Sequence, residues 1–157
     1  MSGGVDSSTS AALAVQALGA NYVYPLLLPH GNLNTGAVVD ARGMINALGI
    51  PQKNITQINI QPLVDPIISL DPKMDQIRRG NIMARVRMIV IFDNAKKRNA
   101  LVVGTENKTE HLLGYFTRFG DEGSDIEPLR TLYKTQVYEL ARFLKLPEQV
   151  LTKTPTA

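Results

Sequence analysis

At 157 residues, 44% of them apolar, the chain can bury one hydrophobic core, since a chain of this size removes about 70% of its unfolded surface from water. The absence of cysteine excludes a disulfide framework, a thiolate zinc site and a cysteine nucleophile. No apolar run approaches the ~20 residues of a membrane span and no basic-then-apolar leader opens the chain, so a soluble cytoplasmic protein with no membrane partner is expected. The net charge of +3 is carried in part by Arg78, Arg79, Arg85, Arg87, Lys96, Lys97 and Arg98. Such a cluster attracts phosphates of any kind, or is simply a solvated helix face.

Residues 2–8 read Ser-Gly-Gly-Val-Asp-Ser-Ser and run into an alanine- and leucine-rich stretch with helical spacing over 5–18. Paired glycines at a helix start suit an anion. The first N–H groups point outward, the dipole favours negative charge, and Gly3 and Gly4 have no Cβ to keep a phosphate off the backbone. Ser2 and Ser7 add hydroxyl donors. Asp6 repels a phosphate unless a cation such as Mg²⁺ lies between them, so the motif points to a nucleotide plus a metal. The alternative is that Ser2 caps the helix and Asp6 complements its dipole.

Gly19 stops this helix, and residues 22–28 read as a buried strand in which Pro25 removes a ladder donor. Thr35 can cap a helix built on Val38, Ala41, Ile45 and Leu48 and ended by Gly49 before Pro51. A second strand is expected at 55–60, then a short helix near 63–70 with Pro66 in its first turn or breaking it. After Pro72 a helical stretch is interrupted at Gly80 and resumes over 81–98. Its segment 88–92 is apolar all round, which asks for deep burial or a subunit interface. Residues 101–104 read as a third strand, 105–130 as irregular, and 136–144 as a last amphipathic helix before Pro147. Strands alternating with helices imply an α/β fold, a doubly wound parallel sheet that binds ligands at the carboxyl ends of its strands. A loop of the opening type follows a strand, yet only Met1 precedes Ser2, so the natural protein is expected to begin further upstream.

Residues 105–134 read Thr-Glu-Asn-Lys-Thr-Glu-His-Leu-Leu-Gly-Tyr-Phe-Thr-Arg-Phe-Gly-Asp-Glu-Gly-Ser-Asp-Ile-Glu-Pro-Leu-Arg-Thr-Leu-Tyr-Lys, directly after the third strand. A stretch this long with so many charged and aromatic anchors is functional rather than an idle linker. Together with residues 2–8, Gly80-Asn81 through Arg85, and the closing Lys153-Thr154-Pro155-Thr156-Ala157, it resembles the ammonia-dependent NAD synthetases of the pyrophosphate-loop ATP hydrolase superfamily.

That resemblance implies a Rossmann-like adenine nucleotide hydrolase fold and the conversion of deamido-NAD to NAD. The nicotinate carboxylate would attack the α-phosphorus of ATP and ammonia would then displace AMP. It also implies a role for each matching residue. Ser2, Gly3, Gly4, Asp6 and Ser7 would hold the ATP phosphates, with Asp6 and Glu110 as Mg²⁺ ligands. Thr105, Lys134 and Thr156 would contact ATP, while Arg85, Arg118 and Asp125 would hold deamido-NAD. Asp121 would orient ammonia, which makes Asp6, Asp121 and Lys134 the catalytic set. The family's dinucleotide site near a twofold interface, with the apolar segment 88–92, implies a homodimer. Plainer readings stand beside these: an exposed loop carboxylate for Glu110, surface charge for Lys134, the basic helix face for Arg85, and a turn with Gly123 for Asp121.

Three departures accompany the match. Arg118 stands where lysine is usual, Glu122 replaces a common glycine, and the family's C-terminal segment lies beyond Ala157. The expectation is therefore a single ligase domain over 1–157, without its first strand and C-terminal segment. Rival readings are a related ligase acting on another carboxylate or tRNA, or a nucleotide-binding module without turnover. Against tRNA, the basic residues lack interleaved aromatics, and Lys96, Lys97 and Arg98 sit at a helix C-terminus that stabilises cations anyway. No nucleic-acid partner is expected.

Overall fold

The computed structural model describes residues 1–33 and 35–153. Helix α1 spans Val5–Leu18 as the spacing predicts, but it does not bury a single stripe. Val5 and the run Ser7 to Ala12 are all buried. Side chains this small let other elements close in from several directions, and the Thr9 hydroxyl is satisfied by donating to Val5 O at 2.7 Å. Gly19 ends the helix at φ +86°, a conformation that favours glycine, and donates to Val15 O at 2.8 Å.

The two strands are shorter than expected. Strand β1 is Leu26–Leu27, helix α2 is Thr35–Ala47 and strand β2 is Thr56–Gln57, with Leu26 opposite Thr56 and Leu27 opposite Gln57 in parallel. Residues 20–22 form a 3₁₀ turn that takes in Tyr22, the first residue of the expected strand. The ladder extends past the strands on proline carbonyls, with Thr56 N donating to Pro25 O at 3.0 Å and Ile60 N to Pro29 O at 2.9 Å. Proline can accept but not donate, so pairing on this edge is one-sided. Met1 N donates to Leu26 O at 2.7 Å, which sets the opening loop beside β1. Helix α2 begins at Thr35, the residue expected to cap it.

Helix α3 (Gln61–Ile68) carries Pro62 in its first turn, and Pro66 stands inside it two residues before its end. Helix α4 (Gln76–Arg98) runs straight through Gly80, where a Cβ would meet nothing within 4 Å. The expected interruption is absent because one glycine costs a helix only about 1 kcal/mol, and Asp75, accepting from Arg78 N at 2.8 Å, starts the helix upstream. Of α4 only Val86 is buried, and Ile89 is 62% exposed, so this chain does not cover the apolar segment 88–92 on every side.

The expected third strand reduces to one parallel bridge, Val103 to Ile126, flanked by Gly104 N donating to Ile126 O at 2.7 Å. Gly104 has no room for a side chain, since a Cβ would lie 2.8 Å from Ser124 Cβ. Within the region expected to be irregular lies helix α5, Lys108–Leu113. Helix α6 (Lys134–Phe143) begins two residues before the predicted boundary, and α7 (Glu148–Thr152) follows it.

Three apolar clusters hold these elements. Val5, Ala12, Met44, Leu129, Val137, Ala141, Leu146 and Val150 join α1, α2, α6 and α7. Leu27, Ala41, Ile45 and Ile50 seat α2 on β1, and Ile60, Val64 and Val86 join α3 to α4. The packing of α1 against α6 brings the starts of two helices to one place. No helix among the described residues is long and apolar enough to cross a membrane.

Candidate active site

The opening loop turns at Gly3, whose φ of +72° is a left-handed value. A Cβ there would lie 2.8 Å from Asp40 Cβ and 2.9 Å from Ala41 N, so α2 presses directly on the loop. Gly4 is the residue before the helix and no side chain caps it, so the reading of Ser2 as a helix cap is not the one observed. Instead Ser2 Oγ and Ser7 Oγ lie 3.1 Å apart, Gly4 N donates to Ser2 Oγ at 3.4 Å, and Ser7 Oγ donates to Gly4 O at 3.2 Å. The hydroxyls thus brace the turn and leave the first helical N–H groups without a side-chain partner.

Over this loop three charged groups meet. The Lys134 ammonium donates to Asp6 Oδ2 and, at 3.4 Å, to Glu110 Oε1. Asp6 Oδ1 accepts from Asn107 Nδ2 at 2.9 Å. Asn107 is fully buried and also starts α5: its Oδ1 accepts from Glu110 N at 3.1 Å while Glu110 Oε2 accepts from Asn107 N at 3.3 Å. One asparagine therefore fixes both carboxylates. The first residue of α6 is Lys134, a position where the dipole disfavours a cation. Burial pushes its ammonium down, but the hydrogen bond and charge of Asp6, joined by Glu110, outweigh that and hold it above its ordinary 10.5.

A cavity of about 270 Å³ opens here, lined by Ser2, Asp6, Ser7, Thr105, Glu110, Tyr115 and Asp121. Asp121 reaches it from a turn in which its Oδ1 accepts from Thr117 N at 2.9 Å and Gly123 N donates to Gly120 O at 3.1 Å. Gly120 seats that turn on α4, because a Cβ there would lie 3.0 Å from Ala84 Cβ. The oxygens of Asp6 and Glu110 that share one ammonium face each other. Among the described residues no third histidine or carboxylate completes a metal-holding group. Two facing carboxylates fit Mg²⁺, which takes one or two protein carboxylates and completes its shell with phosphate and water.

Of the residues matched by resemblance, Ser2, Asp6, Ser7, Thr105, Glu110 and Asp121 line this cavity, Lys134 bridges its carboxylates, and Gly3 and Gly4 form the loop beneath it. Arg85, Arg118 and Asp125 do not join them. Arg85 Nε donates to Arg118 O at 3.2 Å, and the Arg118 guanidinium lies 4.9 Å from the centre of the Phe119 ring. Asp125 Oδ2 accepts from Val102 N at 2.7 Å, and its residue borders a second, wider hollow with Phe119, Glu122, Glu127 and Arg130. Thr156 lies outside the described residues.

Two site residues escaped the sequence reading, Asn107 and Tyr115. The signal for the first was present: Asn107 followed three residues later by Glu110 is a helix-start pattern. Asn107→Ala is expected to lower stability by about 1 to 2 kcal/mol, roughly 3 to 6 °C in melting temperature for a chain of this size. Thermal unfolding followed by circular dichroism measures it, and an unchanged melting temperature would contradict the double duty assigned to this side chain.

Fold and site define the class first: an α/β protein with parallel pairing and a glycine turn at the start of its first helix. Comparison then supplies the family. The family profile described as NAD synthase matches residues 1–157. The NH(3)-dependent NAD(+) synthetase of Chlorobium phaeobacteroides is 46% identical over 157 residues, covering all of this chain and 56% of that protein. The solved NH3-dependent NAD synthetase of Campylobacter jejuni superposes with a TM-score of 0.89 at 36% identity, over 99% of this chain and 66% of that one. The NMN synthetase of Francisella tularensis gives 0.88 at 37%, over 99% and 63%. The chain belongs to the NAD synthase family and has its Rossmann-like adenine nucleotide hydrolase fold. It spans little more than half the length of the Chlorobium relative.

Proposed function

We propose that this chain carries the ATP-dependent amidation of deamido-NAD to NAD with ammonia as nitrogen donor, releasing AMP and pyrophosphate. The observation that supports it is the convergence of Asp6, Glu110, Lys134 and Asp121 around one cavity above the glycine turn. A carboxylate resists attack by ammonia because its oxygen is a poor leaving group. Transfer of AMP onto it supplies a good one.

In this reading Ser2, Gly3, Gly4 and Ser7 cradle the ATP phosphates, Thr105, Lys134 and Thr156 contact the nucleotide, and Asp6 and Glu110 hold Mg²⁺. The ion, when bound, neutralises charge on the phosphates. Lys134 adds a fixed positive group toward the departing pyrophosphate, the kind of preorganised charge that stabilises a developing anion. Arg85, Arg118 and Asp125 hold the dinucleotide, and Asp121 accepts hydrogen bonds from ammonium and takes up its proton, so that ammonia attacks the adenylated carbonyl and AMP leaves with the broken C–O bond. We place this chemistry in the cytoplasm.

The test supplies the chain with ATP, Mg²⁺, deamido-NAD and ammonium. Equal amounts of NAD, AMP and pyrophosphate are expected, with labelled pyrophosphate exchanging into ATP when ammonium is withheld. Cleavage of ATP to ADP, or none at all, would overturn the reading. The likeness to the NMN synthetase of F. tularensis favours a second reading, in which the mononucleotide of nicotinate is the acceptor. Running that mononucleotide in parallel decides between them.

We also propose a homodimer that covers α4 across a twofold axis. Ile89, 62% exposed on that helix, is the natural probe. Ile89→Glu is expected to shift the protein from dimer to monomer in sedimentation velocity at micromolar concentration. A wild-type protein that sediments as a monomer would sink the dimer.

A further inference from the structure

One ion pair, a buried Glu106 carboxylate with the half-buried Arg130, plays no part in the proposed chemistry. The Glu106 side chain is 5% exposed and its Oε2 accepts from Arg130 Nη1 at 2.6 Å, while the same nitrogen donates to Glu127 Oε2 at 2.7 Å. The other oxygen, Oε1, is buried without a hydrogen-bond partner among the described residues, with His111 Nδ1 at 3.5 Å. Burial pushes the Glu106 carboxyl up, against the downward pull of Arg130. A buried ion pair contributes little to stability, because desolvation offsets the attraction, and apolar side chains in the same place are often as good or better. The placement of this pair calls for another explanation.

The chain on either side of the pair provides it. Glu106 stands between Thr105, which lines the cavity, and Asn107, which holds Asp6 and starts the helix carrying Glu110. Arg130 stands four residues before Lys134. Between the two segments run two further bonds: Lys108 N donates to Leu132 O at 2.8 Å, and Lys134 N donates to Thr109 Oγ1 at 3.0 Å. The pair is the buried end of that short ladder. A slip between the segments would carry Lys134 away from Glu110, which lies on the facing segment, and from Asp6, which the Asn107 of that segment holds.

We propose that Glu106 and Arg130 are positioning residues that hold the segment bearing Asn107 and Glu110 in register with the segment bearing Lys134. Neither touches the phosphates or the metal. Their effect on ligand binding rests on the reading of Asp6, Glu110 and Lys134 as the Mg²⁺·ATP site, but the register itself does not.

The experiment replaces the pair by apolar groups of similar length, Glu106→Met with Arg130→Met, in the full chain. Three quantities are read: the melting temperature, amide hydrogen exchange at Lys108 and Lys134, and the Kd for Mg²⁺·ATP by titration calorimetry. The expected result is a folded protein melting within a few degrees of wild type, at least tenfold faster exchange at those two amides, and a Kd raised at least tenfold. Arg130→Lys keeps the cation and is expected to restore both amides and the Kd to within about threefold. If the double variant does not fold, Glu106→Gln, which keeps shape but removes charge, is read in the same way. Unchanged exchange at Lys108 and Lys134 in the folded variant overturns the proposal, as does a Kd change accompanied by equal loosening of every helix. If wild type binds no Mg²⁺·ATP, the proposed function falls, while the exchange result still decides the register.

Discussion

Gly3→Ala is expected to melt roughly 10 °C below wild type, while Gly4→Ala, one residue along the same loop, is expected to melt at nearly the wild-type temperature. The two glycines look equivalent in sequence and differ in what surrounds them. At Gly3 the backbone is at φ +72° and a Cβ would lie 2.8 Å from Asp40 Cβ and 2.9 Å from Ala41 N. The left-handed conformation costs an L-residue about 1 to 2 kcal/mol. Overpacking against backbone adds about 1 to 3 kcal/mol, because α2 has to move as a unit to make room. At 2 to 4 °C per kcal/mol for a chain of this length, the sum gives the stated drop. Gly4 sits at φ −84° and ψ 168°, open to any residue, and its Cβ would meet only Ser2 Oγ at 3.5 Å. In the proposed site its side chain would instead stand where the phosphates are held, so Gly4→Ala should bind Mg²⁺·ATP at least tenfold more weakly while staying folded. Matching melting temperatures for the two variants would show that α2 does not press on the turn as described.

The contrast between those glycines marks how much the sequence could disclose. The glycine turn and α1 were legible because they are local: a helix start announces itself within seven residues. Both strands were located near the right place, but their length was overestimated. Pro25 accepts from Thr56 of β2 and Pro29 from Ile60 just beyond it, and neither can donate, so an apolar run that reads as a full strand is paired on one side and regular for only two residues. Gly80 misled in the other direction. Glycine inside a helical pattern reads as a break, yet the Asp75 cap and twenty-three helical residues outweigh its cost of about 1 kcal/mol.

The site divides along the same line. Asp6, Glu110 and Lys134 were named from motif likeness, but their mutual geometry depends on contacts 101 and 128 positions apart in the chain. No spacing rule reaches so far. Lys134 carried one physical clue, a cation at a helix start where the dipole disfavours it, and the structure shows the partners that resolve the mismatch. Glu106 and Arg130 carried none. Their neighbours in sequence are just as polar, and only folding reveals which carboxylate is buried.

Lys134→Met should have the largest effect on chemistry. Removing the ammonium leaves the Asp6 and Glu110 carboxylates without the positive group they share, and in the proposed reaction it removes a fixed charge from the path of the departing pyrophosphate. Loss of one preorganised group of this kind lowers turnover by roughly 10² to 10³, so pyrophosphate exchange into ATP should fall by at least 10². The same side chain carries a pH signature. Its folded value is raised above 10.5, so the protein binds this proton more tightly when folded. That contribution to stability is fully present below pH 10.5 and is lost as pH climbs through the raised value. Wild type should therefore lose stability above pH 10.5 by more than Lys134→Met does, since the variant has no ammonium to lose and its other lysines titrate alike in both. Urea midpoints at pH 8 and pH 11 measure the difference. Equal losses in the two proteins would mean that Lys134 is not held by the carboxylates in solution, and exchange at the wild-type rate would take it out of the chemistry altogether.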